Sequence, residues 1–158
     1  MDKKYIALIV VVLAIVGAVI FSGGGSYTSA NISDVVMSEE VNENTFEPIN
    51  ITETYSTDAD SFHLTGEMKN VPGNTTVSSE WHYLNADGNE WNGTLILENG
   101  GTLMGKADLS IDQSQRIHFF FPRSPNFEWP EGEYEAKIYI EGKGNVENVQ
   151  FSVHENIE

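Results

Sequence analysis

The chain has 158 residues, enough for one domain and a short appendage. It carries 24 acidic against 8 basic residues, a formal net charge of −16 at pH 7, so its surface repels phosphate backbones and nucleic acid is excluded as a partner. It contains no cysteine, which removes disulfides, thiol nucleophiles and thiolate zinc sites together and leaves the apolar core to hold the fold.

Residues 1–4 form a short basic start with Lys3 and Lys4, expected on the cytoplasmic side. Residues 5–21, opening at Tyr5 and closing at Phe21, carry no charge and are rich in Val, Ile, Leu and Ala. As a helix this run is about 26 Å long, close to the roughly 30 Å hydrocarbon layer. The flanking lysines extend its reach by snorkelling. We read it as a single-pass transmembrane signal anchor that contacts the membrane and leaves everything after Phe21 outside the cytoplasm. The alternative is a cleaved signal peptide, because Ser22, Gly23, Gly24, Gly25 and Ser26 offer the small residues a peptidase needs, and the protein is then secreted. A pilin also starts with a long apolar helix. Here Lys4 runs straight into Tyr5 without the small-residue processing site, which weighs against that family.

Residues 22–47 read as a spacer: a Gly/Ser stretch, then an acidic, polar stalk with one apolar patch at Val35, Val36 and Met37. A short helix over 33–41 is the alternative for that patch. From 48 onward the period changes to two, the strand signature. Phe62, Leu64, Gly66 and Met68 alternate with polar neighbours, as do Val77, Ser79, Trp81 and Tyr83. Turn residues at 85–89 and 99–101 separate the strands over 91–97 and 102–109. Residues 116–121 are apolar on both faces, as in a central strand. Over 133–141, Tyr134, Ala136, Ile138 and Ile140 face one way and Glu133, Glu135, Lys137 and Glu141 the other. Val149, Phe151 and Val153 mark the last strand. With 49–55, this makes seven or eight short strands, so the expected fold is all-β: an antiparallel sandwich over 48–158.

The run Trp129-Pro130-Glu131-Gly132-Glu133-Tyr134, followed by Ile138-Tyr139-Ile140, Gly142 and Phe151-Ser152-Val153, resembles the ending of immunoglobulin-like modules in exported, membrane-anchored prokaryotic proteins. In that pattern a Pro-x-Gly-x-Tyr corner leads into the penultimate strand and a Phe-x-Val strand closes the domain. Trp81 is similar to the core tryptophan of an immunoglobulin third strand. The resemblance covers about 48–154 and implies an immunoglobulin-like fold defined by Trp81, Trp129, Pro130, Gly132, Tyr134, Ile138 and Phe151. It implies no activity.

Catalytic chemistry finds little support. Without a G-x-S-x-G elbow or a cysteine, no nucleophile is paired with a base. His63, His82, His118 and His154 stand alone in their segments, with His63, His82 and His154 on expected solvent faces. His82 and His118 would converge only if their strands paired. Asn85, Asp87, Asn89 and Glu90 resemble a calcium loop loosely, but Asp-Gly is first of all a hairpin turn. Glu131, Glu133 and Glu135 line one solvated face. We therefore expect no metal and no cofactor. Asn31, Asn50, Asn74 and Asn92 sit in glycosylation sequons. Phe120 and Tyr139 point away from their apolar neighbours, and Phe127 and Trp129 are expected to plug one end of the sandwich.

The expected function is a non-enzymatic, membrane-anchored binding or structural module of the cell envelope, touching a protein, a glycan or another copy of itself outside the cell. An accessory subunit of a membrane complex, with Gly17 and Ala18 allowing close helix packing, is the alternative; a metal-assisted hydrolase is the third.

Overall fold

The computed structural model describes residues 30–84, 95–96 and 102–155. The apolar run at 5–21 read above as an anchor, the loop at 85–90 and Asn92 lie outside them. Among the described residues, no helix is long and apolar enough to cross a membrane.

Ten strands are described: β1 (Asn31–Val41), β2 (Pro48–Ile51), β3 (Thr54–Ser56), β4 (Ser61–Lys69), β5 (Thr75–Tyr83), β6 (Leu95–Ile96), β7 (Thr102–Ile111), β8 (Gln115–Pro122), β9 (Gly132–Ile140) and β10 (Val146–His154). They form a four-stranded sheet, β2-β1-β4-β8, and a six-stranded sheet, β3-β10-β9-β5-β7-β6. Every pairing is antiparallel except β3 with β10, which makes the larger sheet mixed rather than purely antiparallel.

The alternation read over 62–68 is the physical cause of the sandwich. Phe62, Leu64 and Met68 of β4 and Ile117, Phe119 and Phe121 of β8 turn inward from the smaller sheet. They meet Val77 and Trp81 of β5, Tyr134, Ala136 and Ile138 of β9, and Phe151 and Val153 of β10. Phe62 is the hub. Its ring lies 4.4 Å from Trp129, 4.8 Å from Phe151, 4.9 Å from Tyr55 and 5.7 Å from Tyr134. Trp129 plugs one end, buried, with its indole Nε1 donating to the Ala59 carbonyl at 2.7 Å. Tyr134 closes the corner by donating its hydroxyl to the Pro130 carbonyl at 2.6 Å. Gly132 between them has φ 143°, a conformation that favours glycine.

One expectation needs correction. The stalk over 22–47 is not a stalk throughout, because 31–41 is strand β1, internal to the smaller sheet between β2 and β4. A domain beginning at 48 would lack it, and the helical alternative over 33–41 fails too. The reason is a bulge: the pairing with β4 shifts register between Ser33 and Val36, where Asp34 has φ 52°. Ile32 before the bulge, Val35 within it and Met37 after it therefore pack toward the core despite their odd spacing. A Cβ on Gly66 would stand 3.3 Å from a methyl of both Ile32 and Val35, so glycine on β4 gives the bulged strand room.

Candidate functional site

The outer face of the smaller sheet gathers side chains that the sequence places far apart. Since Phe62 and Leu64 point inward, Ser61, His63 and Thr65 must point outward. In the β4–β8 register His63 lies opposite Phe120 and Thr65 opposite His118. That offset makes His63 and His118 diagonal neighbours on one face. His63 Nδ1 lies 3.0 Å from His118 Nε2, and Ser61 Oγ lies 2.7 Å from His63 Nε2. The imidazole planes differ by 10° with centroids 5.2 Å apart. Together with the 3.0 Å nitrogen separation, this is an edge-to-edge hydrogen bond between nearly coplanar rings rather than a face stack. Either ring can be the N–H donor; if His63 Nδ1 donates, the Ser61 hydroxyl donates to His63 Nε2.

Aromatic rings wall the pair. Phe120 lies 6.2 Å from His63 and 5.8 Å from His118. Phe46 approaches His118 from the β1–β2 turn, 5.7 Å away. That turn is organised by Asn42, whose side-chain oxygen accepts from the backbone N–H of Asn44 and Thr45 and whose carbonyl accepts from Phe46. The turn holds Phe46 at φ 56°, which is costly for a bulky residue and marks the position as one the fold imposes. Phe46, Phe120 and the two histidines, with Glu40 and Glu43, line a groove of about 440 Å³. A second hollow of about 630 Å³ shares Glu40, Ser61 and His63 and continues past Asp60 to His154 and Glu155.

Burial drives the electrostatics of the pair. It lowers His63, and it lowers His118 to about 4, with the nearby His63 acting in the same direction. Both rings are thus neutral at pH 7. In the unfolded chain His118 titrates near 6.5. Between about pH 6.5 and 4 the unfolded state therefore binds more protons, so stability is full above this window and is lost as pH falls through it. Allowing for the partial exposure of the ring, the loss due to His118 is about 2 kcal/mol. Urea unfolding at pH 7 and at pH 4.5 measures it. The gap between wild type and His118→Gln should narrow or reverse at the lower pH, and a gap independent of pH would refute the assignment.

The other histidines behave differently. His82 does not meet His118, because β5 and β8 belong to different sheets. Nor is it on a solvent face: it is 2% exposed, with Nε2 3.2 Å from Glu80 Oε2. The flanking strands of a central position explain this, since Glu135 lies directly across from it on β9. His154 is exposed. Among the described residues no three His, Asp or Glu side chains converge as a metal-holding group. Asn31, Asn50 and Asn74 are exposed. Of the fold-defining residues, Trp81, Trp129, Tyr134, Ile138 and Phe151 are buried, while Pro130 and Gly132 form the half-buried corner. Phe120 joins the groove. Tyr139 instead donates its hydroxyl to Glu80 at 2.7 Å, with Lys106 over its ring.

No family model matches the chain, and no curated protein does. Solved structures resemble it in fold. An immunoglobulin-like protein from Pseudomonas aeruginosa, at 10% identity, covers 82% of this chain and 100% of its own with a TM-score of 0.52. The fold is immunoglobulin-like. The CARDB domain of a Pyrococcus furiosus protein, in complex with di-metal ions, is 11% identical with a TM-score of 0.45, covering 84% of this chain and 100% of that one. A Pseudomonas fluorescens alkylpurine DNA glycosylase, AlkC, bound to DNA containing an abasic site analog, is 8% identical at 0.45 and covers 78% of this chain; the match spans only 30% of the glycosylase. At such identities the immunoglobulin-like likeness speaks to fold and leaves activity open.

Proposed function

We propose that this chain is a non-enzymatic, membrane-anchored immunoglobulin-like module that binds a protein or glycan partner outside the cytoplasm through the outer face of its smaller sheet. The observation that carries the reading is the groove walled by Phe46 and Phe120, with Phe46 held in a costly backbone conformation beside it. A preformed aromatic concavity offers large contact area at low ordering cost. The apolar run at 5–21 and the two lysines before it support the tether and its orientation.

The row Ser61–His63–His118 has the bond order of a hydrolytic triad, yet its third member is a neutral imidazole where such a triad has a carboxylate. Burial disfavours the imidazolium that the base must become. Recognition is the better use of this face. Crosslinking on intact cells, followed by capture through the outer domain, tests the reading. The wild-type chain should retain a partner or a second copy, and a Phe46→Ala/Phe120→Ala chain should lose at least tenfold of that yield while melting at a similar temperature. No captured species, or equal capture by the double variant, would sink it.

A further inference from the structure

Resting on the binding role proposed above, we propose that the groove takes an arginine side chain of a protein partner, its guanidinium stacked on the rings of His63, His118 and Phe120 and paired with the carboxylates of Glu40 and Glu43. The three rings present a shared platform. Their centroids lie 5.2, 6.2 and 5.8 Å apart, and no two of their planes differ by more than 23°. Phe46 stands beside them, tilted 36° to His118, and gives the platform a wall. All four rings are half-buried and line the groove of about 440 Å³. A flat, delocalised guanidinium matches a flat aromatic surface, whereas the compact, strongly hydrated ammonium of lysine does not.

The polar groups around the platform set the charge of the guest. Ser61 Oγ is engaged with His63 Nε2, and His63 Nδ1 with His118 Nε2, so three of the four imidazole nitrogens are already satisfied. A glycan, whose hydroxyls each need a donor or an acceptor, finds few of them here. The carboxylates of Glu40 and Glu43 are different: both residues are exposed and line the groove, and neither side chain has a hydrogen-bond or ion-pair partner among the described residues. Glu40 follows Ser38 by two on β1, and Ser38 lies opposite His63, so Glu40 belongs to the same outer face. Glu43 sits in the turn that carries Phe46. Among the described residues no Lys or Arg lines this groove or the adjoining hollow, which adds Glu39, Asp60 and Glu155. Of these, Glu39 accepts from Asn50 and Asp60 is paired with Arg123. A cation is drawn into such a site and an anion kept out, and a carboxylate at its edge accepts the paired N–H groups of an arginine fork.

Short capped glycine peptides with a central arginine, lysine or citrulline are titrated into the isotope-labelled full chain in mild detergent, and the ring resonances of Phe46, Phe120 and His118 are followed. The arginine peptide should shift all three saturably, and the lysine peptide should bind several-fold more weakly. Citrulline, which keeps the shape without the charge, should not bind measurably. Glu40→Gln/Glu43→Gln should weaken arginine binding about tenfold while melting at an unchanged temperature, because both side chains are exposed. Glu133→Gln/Glu147→Gln, equally exposed but on the larger sheet, should leave the affinity as it is. Equal binding of citrulline, an affinity unmoved by Glu40→Gln/Glu43→Gln, or saturable shifts with maltotriose and none with arginine would overturn the assignment. On intact cells the arginine and the groove fail separately. Partner capture lost in the Phe46→Ala/Phe120→Ala chain but undiminished by Glu40→Gln/Glu43→Gln removes the arginine and keeps the groove, whereas capture undiminished in both chains removes the groove itself.

Discussion

A chain begun at Pro48 should fail to fold, whereas one begun at Ala30 should keep a cooperative unfolding transition. The first boundary is where the period-two pattern starts, and the second is where the described domain starts. Removing β1 strips β4 of a neighbour over most of its length and leaves β2 without its pairing partner. It also takes Met37 out of the core and removes the Ser38 carbonyl to which the buried Tyr55 hydroxyl donates at 2.7 Å. Truncating Met37 alone would cost about 2–5 kcal/mol. A stranded tyrosine hydroxyl adds about 1–3 kcal/mol. Losses of that size, with the opened sheet edge besides, consume the roughly 5–15 kcal/mol that holds a domain together. Circular dichroism and thermal melts of the two truncations measure the difference. Transitions within a few degrees of each other would show that β1 is dispensable.

Phe62→Ala should be the most damaging single substitution among the described residues, at about 3–5 kcal/mol. Phe62 is completely buried and its ring touches the rings of residues from β3, β9, β10 and the Trp129 plug, so one truncation opens a hole where both sheets and the end loop meet. Little of that space can be refilled, because every wall is itself a large ring with its own packing constraint. For a domain of this size the loss corresponds to a drop in melting temperature of roughly 10–20 °C. Phe62→Leu should lose markedly less, since it keeps most of the apolar volume. Urea denaturation midpoints at unchanged slope give the values. A Phe62→Ala cost below about 1 kcal/mol would mean that the core is not organised around this ring.

Both expectations show where the sequence speaks clearly and where it falls silent. The inward sets of β4, β5, β9 and β10 were legible because an uninterrupted strand buries alternate residues, and Phe62, Trp81, Tyr134 and Phe151 fall on that rhythm. β1 was hidden because its bulge breaks the rhythm between Ser33 and Val36, leaving Val35, Val36 and Met37 to look like a patch in a stalk. His82 was misplaced because alternation marks the face a residue occupies but says nothing about what covers that face in a central strand. The paired histidines were invisible for a different reason. His63 and His118 each sit alone in their segments, and only the β4–β8 register joins them.

What the sequence determined by itself is therefore local and compositional. It set an acidic, cysteine-free chain with strand-forming alternation and a Pro-x-Gly-x-Tyr corner, because charge, missing chemistry and period-two burial belong to single residues and their near neighbours. What only the tertiary structure decided is which strands pair, in what register, and which outward side chains share a face. Those depend on contacts between distant segments, and a shift of one residue between β4 and β8 would have turned His118 into the core and left His63 without its partner.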